Sequence, residues 1–143
     1  MIPVVLDTAV LVKVFVEEDG SDRAVALFRA AVDGAYRMVA PDFMAVEFGN
    51  VLWKYVERAL LTDREARRVL DRFPFDYLEW LPARMLLADA FRLATIHRIT
   101  VYDAAFLASA AGLAAEFVTA DRALHGKVVA RLPWVRLLAE MST

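Results

Sequence analysis

The chain has no cysteine and only two histidines, His97 and His125, among 143 residues. Those absences exclude disulfides, thiolate zinc sites and cysteine nucleophiles together, and they leave too few imidazoles for a zinc hydrolase. Glycine and proline are scarce, five of each and scattered. No stretch is serine-rich, repetitive or a long run of one charge, so no linker or disordered tail is expected beyond the last few residues. No apolar run is long and uninterrupted enough to span a bilayer, and no basic region precedes an apolar stretch near Met1. The expectation is a soluble, cytoplasmic protein with no membrane partner. A net charge of −2 is not that of a globally basic nucleic-acid binder, although local patches, and not the total, decide that affinity.

What the chain does have is apolar residues, 59% of the total, with a mean hydropathy of +0.43. A chain of this size and kind fits one compact domain, residues 1–143, able to bury about two thirds of its unfolded surface. Hydropathy this high leaves apolar surface to be covered by another chain, through self-association or a partner. Short β-branched runs at Ile2–Leu6, Met38–Ala40, Glu116–Thr119 and Val135–Leu138 read as core strands. Helical periodicity covers Ala9–Val16, Ser21–Val32, Asp42–Arg58, Asp63–Phe73, Ala83–His97 and Asp103–Ala111. Strands alternating with helices imply a parallel sheet covered on both faces.

Local chemistry marks several boundaries. Thr62 with Glu65, and Thr100 with Asp103, have the spacing of a capping box and so mark helix starts. Asp42, just after Pro41, reads as the N-cap of the helix that follows it. Gly112 stands where a helix end needs a left-handed residue, and Pro74 and Pro82 close or precede elements. The segment from Asp42 to Phe73 reads as a helical hairpin turning near Leu61 and Thr62.

Four acids stand where apolar elements give way to loops or caps: Asp7 in VVLDTAVLVK, Glu47 in PDFMAVEFGNVLWK, Asp103 in ITVYDAAFLA and Asp121 in FVTADRAL. Each has a bland explanation when taken singly. Asp7 and Asp121 suit N-caps, and Asp103 suits the acid of the Thr100 box. Glu47 begins a polar stripe with Asn50, Lys54 and Arg58 on an otherwise apolar helix, which fits a solvated face equally well. Jointly they point elsewhere. In an open parallel sheet, ligands bind beyond the carboxyl ends of the strands, where all four can gather. Several hard oxygens meeting there suit Mg²⁺ or Mn²⁺, which take carboxylates and water. Glu17, Glu18, Asp63, Asp71 and Asp89 read instead as acids in ordinary exposed helical settings.

In these motifs the chain resembles the PIN domains, most closely the ribonuclease toxins of VapBC-type toxin–antitoxin pairs. The resemblance rests on VLDTAVLVKVF, on AP followed by VEFGNVLWK, on VYDAAFLASA and on FVTADRAL, in that order, and it spans nearly the whole chain. It implies a Rossmann-like three-layer α/β/α sandwich with a mainly parallel central sheet. It further implies a Mg²⁺ or Mn²⁺ site built from Asp7, Glu47, Asp103 and Asp121, endoribonuclease activity, homodimers and a cognate VapB-like antitoxin. Thr8 and Thr119 match positions that carry a hydroxyl near the metal, with strand-to-helix capping as their alternative, and Asn50 and Lys13 match recurrent positions. One departure is AAGLAAE over Ala110–Glu116, more apolar than the charged stretch such toxins often have there.

On this reading metal-activated water hydrolyses an RNA phosphodiester, leaving 5′-phosphate and 3′-hydroxyl ends, with a tRNA or rRNA loop as the kind of target implied. Lys13, Lys54, Arg122 and Lys127 lie near the acids in sequence and are the candidate phosphate clamp. Arg64, Arg68 and Arg72 make a helical stripe that reads as a solvated face. Phe43, Phe48, Trp53 and Tyr55 suit either the core or a groove for an antitoxin segment. Two other readings use the same residues: a PIN nuclease of RNA processing or decay without a toxin role, and a non-catalytic PIN-like module that binds RNA or protein. A dinucleotide-binding protein is excluded because DTAVLV carries no G-x-G-x-x-G. An aspartyl-phosphate phosphatase is opposed by Ala9, where a second Asp is needed, and the chain has no room for the DNA-binding elements of a flap nuclease.

Overall fold

The computed structural model describes residues 1–142. Five strands, β1 (Ile2–Leu6), β2 (Tyr36–Pro41), β3 (Leu78–Leu81), β4 (Glu116–Thr119) and β5 (Val135–Leu137), form one sheet in the order β3-β2-β1-β4-β5. Every neighbouring pair is parallel, with Val5 set opposite Val39 on one side and Phe117 on the other. The helices between them are α1 (Thr8–Phe15), α2 (Ser21–Val32), α3 (Met44–Glu57), α4 (Asp63–Asp71), α5 (Ala83–His97), α6 (Val101–Gly112) and α7 (Arg122–Val128). The β1-to-β2 and β2-to-β3 steps move one way across the sheet, whereas β3 to β4 returns past β1 and β4 to β5 continues outward. Right-handed crossovers therefore put α1–α4 on one face and α5–α7 on the other. The packing of α1 on α2 and α3, and of α5 on α6, follows this division.

The central strands are buried on both faces, as the apolar runs Val4–Leu6 and Phe117–Thr119 require. Phe48 from one helical layer and Phe106 from the other are fully buried, and Phe106 stacks on Phe117 of the sheet at 5.8 Å. Helix α6 is buried without a break from Ala104 to Ala110. Its four alanines and a serine in that run let it lie close against β1, β2 and β4, and its first turn, carrying Asp103, is thereby fixed over the middle of the sheet.

The strands Ile2–Leu6 and Glu116–Thr119 and the helices Ser21–Val32 and Ala83–His97 have the boundaries read from the sequence, and others shift by a residue or two. Two elements are additional. Strand β3 is a four-residue edge strand whose exposed Glu79 pairs with Arg37 at 2.8 Å, and α7 is only seven residues long. Thr62 and Glu65 complete the expected capping box, and Thr100 accepts from the Asp103 amide at 3.1 Å. Three local expectations are corrected. The left-handed residue after α6 is Ala114 (φ 51), and Gly112 is still helical. Asp42 does not cap the helix that follows it but accepts from the amide of Ala83, 41 residues on, at the start of α5. Glu18 lies in the loop after α1, half-buried, where it accepts from both Lys13 and Tyr55.

Candidate metal centre

Parallel strands deliver their carboxyl ends to one edge, and the reversal of direction at β1 opens a crevice there between β1 and β4. Asp7 follows β1, and its amide donates to the carbonyl of Val118 at 2.9 Å, tying the ends of the two strands together. Asp121 follows β4. Helix α3 starts just beyond the end of β2 and brings Glu47 to the same edge in its first turn, while α6 brings Asp103 in its own first turn.

The side-chain hydrogen bonds separate capping from another purpose. Asp7 occupies the N-cap position of α1, yet its carboxyl makes no capping bond. It accepts instead from the hydroxyl of Thr119 at 2.7 Å, while that same oxygen of Thr119 accepts from the amide of Asp121 at 3.0 Å. The incoming amide fixes the direction of the hydroxyl, so its proton is committed to Asp7. Thr8, also buried, donates its hydroxyl to Glu47. Asp121 does cap α7, accepting from Leu124 with one oxygen at 3.0 Å. In the Thr100 turn the hydroxyl is the cap, and the Asp103 carboxyl is not needed for it.

The electrostatics are those of crowded acids. Burial pushes the Asp7 carboxyl up to about 7, the Thr119 hydroxyl opposes that rise, and the charges of Asp103 and Glu47 add to it. Burial also raises Glu47, with Asp103 contributing repulsion while Thr8 and Lys54 counteract it. Asp103 is raised first by burial and next by Asp121, against the Thr100 hydroxyl and Lys127. Asp103 thus repels all three of the other acids. Among the described residues, none of the ion pairs involves any of the four.

A hard divalent cation fits this donor set by chemistry, since the oxygens are partly desolvated, mutually repelling and, among the described residues, outside any ion pair. It does not fit a preformed cage: among the described residues, no group of three or more acidic or histidine side chains is already closed round a point that an ion could take. Closure would draw the four carboxylates together from the positions their elements give them.

The remaining sequence candidates divide. Lys127 reaches the cluster, offsetting Asp103 and donating to the carbonyl of Arg98 at 3.1 Å. Lys54 is exposed on α3 and offsets Glu47, and Asn50 is exposed on the same helix. Lys13 is held at 2.9 Å by Glu18 and faces a second cleft, which it shares with Arg122 and Arg23. Phe48 is core, Phe43 and Tyr55 pack against the core, and Trp53 alone of those four aromatics is well exposed. The arginine stripe Arg64, Arg68 and Arg72 is exposed as expected, and the Arg72 guanidinium, just after α4, stands 6.0 Å from the centre of the Phe15 ring. The AAGLAAE segment lies at the opposite edge of the sheet, where β4 begins, away from the acids. Sequence reasoning missed Arg98, which lines a cleft with Asp103 and Asp121. Its only signal was a basic residue five positions before Asp103.

Comparison with known proteins agrees with this architecture. A model of the PIN domain family matches residues 4–128. Over 126 residues the chain is 34% identical to a protein named Ribonuclease VapC3 of Pyrobaculum aerophilum, covering 86% of this chain and 92% of that one. Among solved structures, PAE2754 from Pyrobaculum aerophilum superposes with a TM-score of 0.68 at 18% identity, covering 96% of this chain and 85% of its own. A toxin–antitoxin complex from Klebsiella pneumoniae gives 0.62 at 18% identity, with 92% and 94% covered. VapBC2 from Rickettsia felis, bound to a DNA fragment from its promoter, gives 0.60 at 15%, with 95% and 97% covered. At those identities the structural likenesses speak for the fold.

Proposed function

The chain belongs to the PIN domain family, and from that premise we propose that it is a Mg²⁺- or Mn²⁺-dependent endoribonuclease, a VapC-like toxin restrained by a cognate VapB-like antitoxin. The observation that carries the reading is Asp7: a helix N-cap residue whose carboxyl does no capping, sits buried beside two other acids and has no cationic partner. A residue kept only for structure would not need an ionisable carboxyl there, where burial makes its charged form costly. The similarity to a relative named a ribonuclease supports RNA as the substrate.

Asp7, Glu47, Asp103 and Asp121 would hold the ion. When bound, it supplies acidification of a water and neutralisation of charge at the phosphate, so cleavage products carrying 5′-phosphate and 3′-hydroxyl ends are expected. Thr119, aimed by the Asp121 amide, fixes which way the Asp7 carboxyl turns, and Thr8 does the same for Glu47. Lys54 and Lys127 stand beside Glu47 and Asp103 as cations able to meet the RNA backbone.

Apolar surface supports the partners. Met85, Leu87 and Phe91 of α5 and Tyr102 of α6 are exposed, as are Trp53, Leu60, Leu70, Phe75 and Tyr77 in and just after the α3–α4 hairpin. Uncovered faces of this kind fit a second copy of the chain and an amphipathic antitoxin segment.

The test is to incubate antitoxin-free protein with total cellular RNA in Mg²⁺, Mn²⁺ or EDTA and map the 5′ ends. Asp121→Asn keeps an oxygen to cap α7 and removes the charge, so it should stay folded and lose cleavage by about a hundred-fold or more. Products with 2′,3′-cyclic phosphate ends, or cutting that persists in EDTA, would contradict the reading.

A further inference from the structure

Helices α1 and α3 pack together on one face of the sheet. Each follows a parallel strand, β1 or β2, so both start beside the metal centre and run the same way, toward the opposite edge of the sheet. Two side-chain hydrogen bonds cross between these segments, one at each end. At the start Thr8 donates to Glu47. At the far end Tyr55, in the last turn of α3, donates its hydroxyl at 2.8 Å to Glu18, just past the end of α1. The bonded residues are 39 and 37 positions apart in the chain, so the two bridges join the helices at nearly the same offset.

The far bridge is a closed network. One carboxyl oxygen of Glu18 accepts from Tyr55 and the other from Lys13 of α1, at 2.9 Å. The Glu18 amide donates to Ser21 at 2.9 Å, and the buried Ser21 hydroxyl donates to the carbonyl of Val16 at 3.1 Å, which pins the loop that carries Glu18. Gly20 turns that loop at φ 88, where a Cβ would stand 3.1 Å from Leu138, so glycine fills a place that a side chain would strain. Lys13 and Glu18 have 16% and 24% of their side chains exposed, which screens this pair less than a pair on the open surface. Tyr55 is pushed up to about 12, by burial first and then by Glu18, so its hydroxyl stays a donor through the neutral range.

Glu47 depends on this geometry more than the other acids do. Asp7 and Asp121 follow strands of the sheet, and Asp103 is carried by a helix buried without a break. Glu47 rides on a helix held to the core through Met44, Phe48 and Leu52, with Val46, Asn50, Trp53 and Lys54 exposed on its outer side. Apolar packing is non-directional and accepts a range of tilts, whereas a hydrogen bond has a set length and angle. A tilt of α3 about Phe48 and Leu52 would swing Glu47 away from Asp7, and bridges at both ends of the helix oppose it. We propose that Glu18 and Tyr55 are positioning residues of the metal centre, which hold Glu47 where it can share an ion with Asp7 by bridging α1 and α3 at their far ends. Tyr55 lies ~12 Å beyond Glu47 along the helix axis, and Lys13 completes the bridge by fixing the second oxygen of Glu18. The inference rests on the metal-centre reading and extends it to residues outside the site.

Calorimetric titration with Mn²⁺ at pH 7 tests it, with thermal melting in EDTA as the check on folding and wild type measured first. Tyr55→Phe removes one hydroxyl and keeps the ring, so it should fold. Its Mn²⁺ affinity is expected to fall about five-fold, less than the ten-fold or more that follows loss of a group bonded directly to a ligand. Glu18→Ala should behave like Tyr55→Phe, whereas Glu18→Gln keeps an oxygen to accept from Tyr55 and should bind within about two-fold of wild type. Thr8→Val cuts the near bridge. The double variant Thr8→Val/Tyr55→Phe should lose less than the product of the two single losses, because both bridges act on one carboxylate. A role in stability alone would lower the melting temperature and leave the affinity of the folded variants unchanged. Wild-type affinity in folded Tyr55→Phe and Glu18→Ala, or losses that simply multiply in the double variant, would overturn the positioning role and leave the metal centre standing. If wild type binds no Mn²⁺, the metal-centre reading falls and the positioning role with it.

Discussion

Asp7 concentrates the physical cost of the site. With burial the main cause, its carboxyl is raised from 3.8 to about 7, so the folded, metal-free protein prefers it protonated and the unfolded chain does not. The stability associated with the protonated form is complete below the unfolded value near 4. It is lost as pH rises through the folded value near 7. Glu47 and Asp103, both raised, act in the same direction. Metal-free wild type should therefore lose stability between about pH 4 and pH 7 relative to Asp7→Asn, by on the order of 3 kcal/mol at neutral pH. Paired denaturant melts in EDTA across that range measure the difference, and a variant less stable than wild type at pH 7 would contradict it. Thr119→Val tests the aim of Asp7: it removes both the hydroxyl that meets the carboxyl and the acceptor of the Asp121 amide. Calorimetric titration should show metal affinity lowered about ten-fold.

At the level of elements, segments with a clear apolar period or a β-branched run were legible in the sequence, and those with neither were not. The helices Ser21–Val32 and Ala83–His97 declare themselves because their apolar periodicity runs over three or more turns. Strand β3, LEWL, was not legible because it has no β-branched residue and its exposed edge glutamate interrupts a short apolar run, whereas β4, equally short, ends in Phe-Val-Thr. Helix α7 has seven residues, including Gly126, and offers too little period to read. The four acids were legible individually and in their order, since each adjoins an apolar element. What local spacing does not encode is the pairing of distant segments: Thr119 with Asp7, Thr8 with Glu47, and Asp42 with Ala83. The last of these yields a prediction about an element. Asp42→Ala should destabilise the protein by about 1 kcal/mol or somewhat less through the start of α5, measured by thermal melting. No change would mean that α5 does not rely on that cap.

Over the whole molecule, one topological event makes the site: the chain leaves β1 in one direction and returns beside it as β4, opening a crevice that the acids of two strand ends and two helix starts share. A buried alanine-rich helix holds one of those starts, and apolar side chains stand exposed on α3, α4 and α5. The central claim is that the four carboxylates, delivered by four different segments, act as one cation site with Asp7 at its buried end. Calorimetric titration of antitoxin-free protein with Mn²⁺ at several pH values, in buffers of different ionisation enthalpy, counts the protons released per ion bound. The account predicts close to one proton released near pH 6, falling toward none near pH 8, as Asp7 gives up the proton that burial had kept on it. In Asp7→Asn that release should vanish, with affinity down by about a hundred-fold. Mn²⁺ binding of equal strength in Asp7→Asn, or release that does not change with pH, would contradict it.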